Sequence, residues 1–328
     1  MKILIRLPNW LGDVVMSTAF VDAVRRVYPG SKIDIIVKKE LSGVAALMPG
    51  IGKIHSFSKS EHPGLAGAYK FGKALRPMKY DLFFNLPSSL SSISMAWGTQ
   101  AKKRIGYGAE GGSFLLTNSY KRPIGLHRVD EYIALLEQFS GQSIPERHVK
   151  LVVPDTPPTE NLMVLNFNSE ALSRRMPLDN GKQLLKTISG MFKTVKFALV
   201  GSAREKEFID QLLAGTENTE RLENYAGKTD LPGLCRLMAS ANVVLTTDSG
   251  PAHLANSLGT PTVVLFGAGD EHNTAPYNKQ HLHVIRAGKL DCEPCVRNTC
   301  KLYGVSKCMQ LIDEMEIINA LRPYLNNA

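Results

Sequence analysis

A strand-then-helix alternation, run twice and interrupted once by Pro154-Asp155-Thr156-Pro157-Pro158, constrains this chain more than any other feature. Lys2 to Arg6 form an apolar, β-branched run, and a helical pattern over 13–28 ends at Pro29-Gly30. The first series continues with a strand at 33–37, a helix near 40–48, a strand near 53–57, a helix near 65–76 and a strand at 81–86. The proline stretch can continue neither a helix nor a central strand. After it the pattern predicts a strand at 163–167, a helix near 179–192, a strand at 196–200 and helices near 204–214 and 231–239. A strand at 242–246, a helix from Pro251 and a strand at 262–266 complete it. Strands alternating with helices require right-handed crossovers and give parallel sheets. A chain of 328 residues fits two domains of roughly 150 residues each. The predicted fold class is α/β, two doubly wound Rossmann-like halves, with ligands at the carboxyl ends of the strands and in the cleft between halves.

Lys and Arg outnumber Asp and Glu by 39 to 30, a net charge of +9. The excess reads as dispersed and favours anionic partners such as nucleotides, phosphorylated glycans or an acidic membrane surface. No apolar stretch reaches the roughly 20 residues of a membrane span, and MKILIRLPNW lacks the features of a signal peptide. The expectation is a cytoplasmic protein, peripheral to the inner membrane where its partner requires it.

Gly106-Tyr107-Gly108-Ala109-Glu110-Gly111 matches the dinucleotide fingerprint letter for letter. That fingerprint needs a helix directly after it, whereas Gly112-Ser113-Phe114-Leu115-Leu116-Thr117 reads as strand, so the match is a decoy. No P-loop occurs.

In Asn9-Trp10-Leu11-Gly12-Asp13-Val14-Val15, Gly12 allows close backbone approach and Asp13 falls in the first turn of a helix, just past a central strand. Asp13 is either a capping residue or a general base facing the cleft, and spacing leaves both open. In the second half Thr247-Asp248-Ser249-Gly250-Pro251-Ala252-His253 turns from strand to helix, with Pro251 where a missing N–H costs nothing. Taken singly, Asp248 and Ser249 read as caps and His253 as a partly buried histidine. Together with free helix N–H groups they suit an anion. Arg174-Arg175-Met176-Pro177 also hangs over strand ends, as a solvated pair or as phosphate ligands. Glu205, in Gly201-Ser202-Ala203-Arg204-Glu205, can serve a ribose or simply a helix N-terminus.

Cys292-x2-Cys295-x4-Cys300-x7-Cys308 gathers four of the five cysteines. Such spacing can close a tetrahedral sulfur site around structural zinc or iron, with disulfides or free thiols as the alternatives. Cys235 reads as core.

With these motifs in view, the chain resembles glycosyltransferase family 9, the ADP-heptose:lipopolysaccharide heptosyltransferases, and within it the heptosyltransferase II branch. The likeness spans nearly the whole chain: Ile3-Leu4-Ile5-Arg6 with Trp10-Leu11-Gly12-Asp13, then Arg104-Ile105-Gly106-Tyr107, Thr247 through Ala255, and Cys292-Glu293-Pro294-Cys295. The resemblance implies a GT-B fold, with residues 1–155 binding acceptor and 156–312 binding nucleotide sugar. It makes 313–328 a C-terminal segment whose helix, 313–324, packs back on the first domain. It further implies inversion at the anomeric carbon, with Asp13 deprotonating the acceptor hydroxyl. Ser249, Gly250, Pro251 and His253 would hold the diphosphate and adjoining sugar, Arg174 and Asp248 would contact the donor, and Glu205 with Thr229 would face ribose and adenine. Arg6, Asn9 and Arg104 are candidate acceptor ligands, and the pair Lys102-Lys103 either draws an acidic acceptor or is merely solvated. No cofactor is implied for catalysis, since helix N-termini and cations stabilise departing ADP. Where the family commonly has Lys-[Arg/His]-Trp-Pro, this chain has Arg174-Arg175-Met176-Pro177, which leaves the donor less defined than the chemistry.

The expected activity is transfer of heptose from ADP-heptose to a lipid A or inner-core oligosaccharide acceptor. The alternatives are another nucleotide sugar, an epimerase on the same fold, or an NAD-dependent oxidoreductase suggested by the glycine fingerprint. A nucleic-acid partner is not expected, because no cluster of basic and aromatic residues is present.

Overall fold

Ile3, Leu4 and Ile5 are fully buried, so β1 (Lys2–Arg6) is apolar on both faces, as a central parallel strand must be. Around it lie β2 (Lys32–Lys38), β3 (Ile54–Phe57), β4 (Leu82–Asn85), β5 (Lys103–Tyr107) and β6 (Asn118–Tyr120). The computed structural model describes all 328 residues except 109–110, 155, 160, 217–218 and 326–328. The strands form a six-stranded sheet in the order β3-β2-β1-β4-β5-β6, with every neighbouring pair parallel.

The second series gives β7 (Leu162–Asn166), β8 (Lys196–Leu199), β9 (Leu222–Asn224), β10 (Val243–Thr247), β11 (Thr262–Phe266) and β12 (Leu282–Arg286). Their order, β12-β11-β10-β7-β8-β9, repeats the first sheet's topology. Each sheet therefore reverses direction beside its first strand, between β1 and β4 and between β7 and β10. Loops that leave such a switch point diverge and open a crevice at the strands' carboxyl ends. Asp13 follows β1, and Asp248 and Ser249 follow β10, so the topology puts both motifs at switch points. The chain divides into two units, Met1–Val152 and Val153–Ala328. The boundary falls slightly before the expected one; Asp155 lies outside the described residues.

Several expectations are corrected. The helix read as 13–28 is two, Leu11–Met16 and Thr18–Val27. Ser17 and Thr18 turn their hydroxyls back onto the carbonyls of Val14 and Val15, both at 2.7 Å, which competes with the helical ladder. The stretch 112–117 is no strand: Ser113–Leu115 make a 3-10 turn and β6 starts at Asn118. No α-helix follows the glycine fingerprint there, although its Ala109 and Glu110 are outside the described residues. The helix Glu314–Leu321 packs within the second unit. Its apolar face, Ile317, Ile318 and Leu321, joins Leu245, Val263 and Ile285 in that unit's core.

Helices Leu90–Thr99 and Arg128–Ser140 were not anticipated. The first is rich in serine and small residues, weak helix formers whose order comes from packing. Gly98 makes that packing possible, since a Cβ there would sit 2.4 Å from the Tyr69 carbonyl.

The charge is not dispersed. Residues 1–152 hold 21 of the 39 Lys and Arg but only 11 of the 30 Asp and Glu, so the first unit carries about +10 and the second about −1.

Candidate active site

At the switch point of the first unit, Arg6 closes β1 and is 3% exposed. Its guanidinium donates to Asn9 Oδ1 at 2.6 Å and to the carbonyls of Leu7 and Ile36. Among the described residues no carboxylate pairs with it, and burial pulls its pKa down to about 10. Arg6 and Asn9, two of the expected acceptor ligands, are thus joined. Arg104 is not gathered with them: its guanidinium donates to the carbonyls of Leu115 and Ala101, toward the amino end of β5. Lys102 likewise pairs with Asp81 at 2.6 Å.

Asp13 lies in the first turn of Leu11–Met16, whose N-cap is Trp10 without a side-chain cap. The carboxylate turns instead to a distant helix. Tyr132 donates its phenol to Asp13 Oδ1 at 3.3 Å, and Arg128 Nε stands 3.6 Å from the same oxygen. Burial raises the Asp13 pKa, with Arg128 and Tyr132 opposing. A carboxylate so placed is partly dehydrated, with a phenol and a guanidinium beside one oxygen.

Sequence reasoning missed the residues that hold it. Glu131 is 5% exposed and takes Arg128 Nη1 at 2.7 Å on one oxygen and Arg122 Nε at 3.0 Å on the other. Arg122 lies over the Tyr107 ring at 5.5 Å, and Tyr107 donates its phenol to the Glu131 carbonyl at 2.5 Å. The signal was present in Arg128-Val129-Asp130-Glu131-Tyr132-Ile133, a helical pattern with three charges and a phenol beside its apolar stripe.

In the second unit, Asn166 ends β7 and gathers the loops. Its amide donates to Ser249 Oγ at 2.9 Å and Thr246 Oγ1 at 3.0 Å. Ser249 is the N-cap residue of the helix Gly250–Ser257, with no side-chain cap bond. Its hydroxyl donates instead to the Thr247 carbonyl at 3.1 Å. Simple side-chain capping is therefore not what Ser249 does; Pro251 has no N–H and the Ala252 N–H donates to the Ser249 carbonyl at 3.1 Å, which leaves the Gly250 N–H at the helix start. Gly250 and Pro251 form that first turn, and His253 is buried just behind it.

Arg174 Nη1 reaches Asp248 Oδ2 at 3.1 Å. Burial raises the Asp248 pKa to about 6, against the pull of Arg174 and Arg286. Gly269 presses on this carboxylate: a Cβ there would lie 1.9 Å from Asp248 Oδ2. Arg286 secures the Gly269 loop through the Gly267 and Gly269 carbonyls, Glu271 and Glu293. Glu205 has two commitments: its carboxylate accepts from Ser202 N at 2.7 Å, and Arg175 Nη2 stands 3.8 Å away. Thr229 lies half-buried beside the turn whose Gly227 N–H meets the Gly201 carbonyl at 3.1 Å, so both expected nucleoside residues follow β8 and β9.

The cysteine cluster is not brought together as a metal centre. All five cysteines are free thiols, and among the described residues no group of three or more His, Cys, Asp or Glu is placed to hold a metal ion. The reason is local. Cys308 is buried on the short helix Lys307–Gln310, where burial pushes its thiol up to about 11. The rest of the stretch is tied down as a strap, by Val296 N to the Ala268 carbonyl at 2.7 Å and Ser173 N to the Asn298 carbonyl at 3.0 Å. Cys292, Cys295 and Cys300 stay half-buried along it. The structural zinc or iron expected at Cys292, Cys295, Cys300 and Cys308 is therefore withdrawn.

Lipopolysaccharide core heptosyltransferase OpsX of Haemophilus influenzae is 28% identical over 82% of this chain and 79% of its own. Lipopolysaccharide heptosyltransferase 2 of Escherichia coli is 26% identical over 87% of this chain and 88% of its own. Among solved structures, E. coli ADP-heptose lps heptosyltransferase II matches with a TM-score of 0.82 at 23% identity, covering 99% of this chain and 98% of that one. The fold is the GT-B type of α/β protein. The model of glycosyltransferase family 9 (heptosyltransferase) matches residues 68–306, and the chain, a glycosyltransferase, belongs to that family.

Proposed function

We propose that the protein transfers heptose from ADP-heptose to a lipopolysaccharide inner-core acceptor, with inversion and with Asp13 as general base. The observation that carries the reading is the Asp13 carboxylate at the first switch point, held on Oδ1 by Tyr132 at 3.3 Å and by Arg128 at 3.6 Å. In this reading Asp13 takes the proton of the acceptor hydroxyl. The acceptor oxygen bonds to the anomeric carbon, and the bond to the diphosphate breaks with its electron pair leaving on ADP. The Gly250 N–H at the start of Gly250–Ser257 and the guanidinium of Arg174 meet the charge that develops on ADP. Ser249, Pro251 and His253 line that helix start, Asp248 contacts the sugar, and Glu205 and Thr229 serve the nucleoside. A relative crystallised with ADP-2-deoxy-2-fluoro heptose, E. coli heptosyltransferase WaaC, shares the fold at a TM-score of 0.73, which supports the donor.

The charge of about +10 in the first unit favours an acidic, phosphorylated acceptor and an anionic bilayer surface. Arg6 and Asn9 are its proposed contacts. No helix among the described residues is long and apolar enough to cross a membrane, so the membrane contact in this reading is peripheral, on the cytoplasmic face.

The test is transfer with purified protein. ADP-heptose is expected to support product formation with an inverted anomeric centre, read by NMR, and ADP to raise the melting midpoint more than UDP or GDP. A second donor is favoured only by Arg174-Arg175-Met176-Pro177, and preferential turnover of another nucleotide sugar would establish it.

A further inference from the structure

Among the described residues, the Tyr132 hydrogen bond and the Arg128 approach to the Asp13 carboxylate both fall on one oxygen, Oδ1. Neither comes from the helix that carries Asp13, since Tyr132 is 119 residues away in sequence. We infer that Tyr132 is a positioning residue: its phenol, together with the Arg128 guanidinium, fixes Oδ1 and leaves Oδ2 as the oxygen that receives the acceptor's proton. This rests on the reading of Asp13 as the base.

The arrangement is built to hold one orientation. Arg128, Glu131 and Tyr132 stand at i, i+3 and i+4 on one helix, so their side chains share a face. Tyr132 is 3% exposed, and a buried phenol needs a partner for its O–H, which Asp13 supplies. Arg128 cannot swing freely across to Oδ2, because Glu131 grips its Nη1 at 2.7 Å. Glu131 is in turn held by Arg122 at 3.0 Å. A carboxylate with one oxygen doubly engaged can rotate little, and its second oxygen meets substrate in a fixed direction.

The charged and titratable groups facing Asp13 are Arg128, Tyr132, Glu131 and Arg122. Tyr132 and Arg128 both stabilise the ionised form. Its phenol is held well above the ordinary range, by burial first and then by Asp13, so it remains a donor at any working pH. Removing that donor must make Asp13 easier to protonate.

The experiment is the pH profile of kcat/KM for transfer from ADP-heptose to an inner-core acceptor, in wild type, Tyr132→Phe and Arg128→Gln. Tyr132→Phe is expected to move the acidic limb up by about half to one pH unit and to lower kcat about three- to tenfold. KM for ADP-heptose stays as in wild type. Arg128→Gln moves the same limb in the same direction, and further, because a full charge is lost. It carries the test alone if Tyr132→Phe does not fold. A limb that stays in place in the folded variants overturns the inference. Asp13→Asn separates the two ideas: with the limb unmoved and Asp13→Asn inactive, the base stands and the positioning role falls. Wild-type turnover in Asp13→Asn removes the base reading itself.

Discussion

Arg174 and Asp248 form an ion pair at 3.1 Å, the side chain of Asp248 being 5% exposed, and the pair ties the loop after β7 to the end of β10. Arg174 stands where the family commonly has lysine, and a guanidinium can hold the carboxylate with one edge and phosphate oxygens with another. Arg174→Ala leaves Asp248 buried without its partner. The expected result is a loss of about 2 kcal/mol in stability and of roughly ten- to hundredfold in ADP affinity. Arg174→Lys should fall between, and denaturation with calorimetric titration measures both.

The raised pKa of Asp248, about 6, sets a direction for stability against pH. The folded value lies above the ordinary carboxylate value, so this group's contribution is complete below the unfolded pKa and is lost as pH rises through about 6. Asp248→Asn mimics the protonated form and cannot ionise. Its stability relative to wild type should therefore climb between pH 4 and pH 7, by about 1–3 kcal/mol. A flat difference across that range, read from denaturant midpoints, would contradict the assignment.

Gly269 is required by proximity. Its added Cβ would lie 1.9 Å from Asp248 Oδ2, and the side chain, not the backbone, must give way. Gly269→Ala is expected to displace Asp248 from Arg174 and weaken ADP-heptose binding several-fold, while the melting midpoint drops only a few degrees. Affinity for donor and midpoint, measured side by side, decide whether the loss is local.

The cysteine stretch is a strap across the loops after β7 and β11, held by the Val296–Ala268 and Ser173–Asn298 backbone bonds. Prolonged chelation is expected to leave the melting midpoint and transfer rate unchanged, and elemental analysis of anaerobically purified protein to find no stoichiometric zinc or iron. Loss of structure on chelation would restore the metal reading.

How far the fold was legible depends on where each element draws its order. β1, β7, β10 and β11 are apolar on both faces and bounded by turns, so their pattern alone declares central parallel strands. β5 ends in the first two residues of a glycine fingerprint, and the Leu90–Thr99 helix is made of residues that become helical only against Gly72 and its neighbours. Asp13, Asp248 and Ser249 were legible because a motif at a strand end carries its own geometry. Arg128, Glu131 and Tyr132 were not, since nothing local says that a helix more than a hundred residues later reaches Asp13. The expected sulfur site failed because spacing gives ligands, not their convergence. Cys308 went to the core and the others to the strap.

The central claim is that Asp13 is the general base of heptosyl transfer. Single-turnover rates with ADP-heptose and an inner-core acceptor, compared between wild type and Asp13→Asn, test it most directly. The account predicts a fall of about 10²- to 10⁴-fold with ADP-heptose affinity and melting midpoint close to wild type. An Asp13→Asn protein that turns over at the wild-type rate would contradict it.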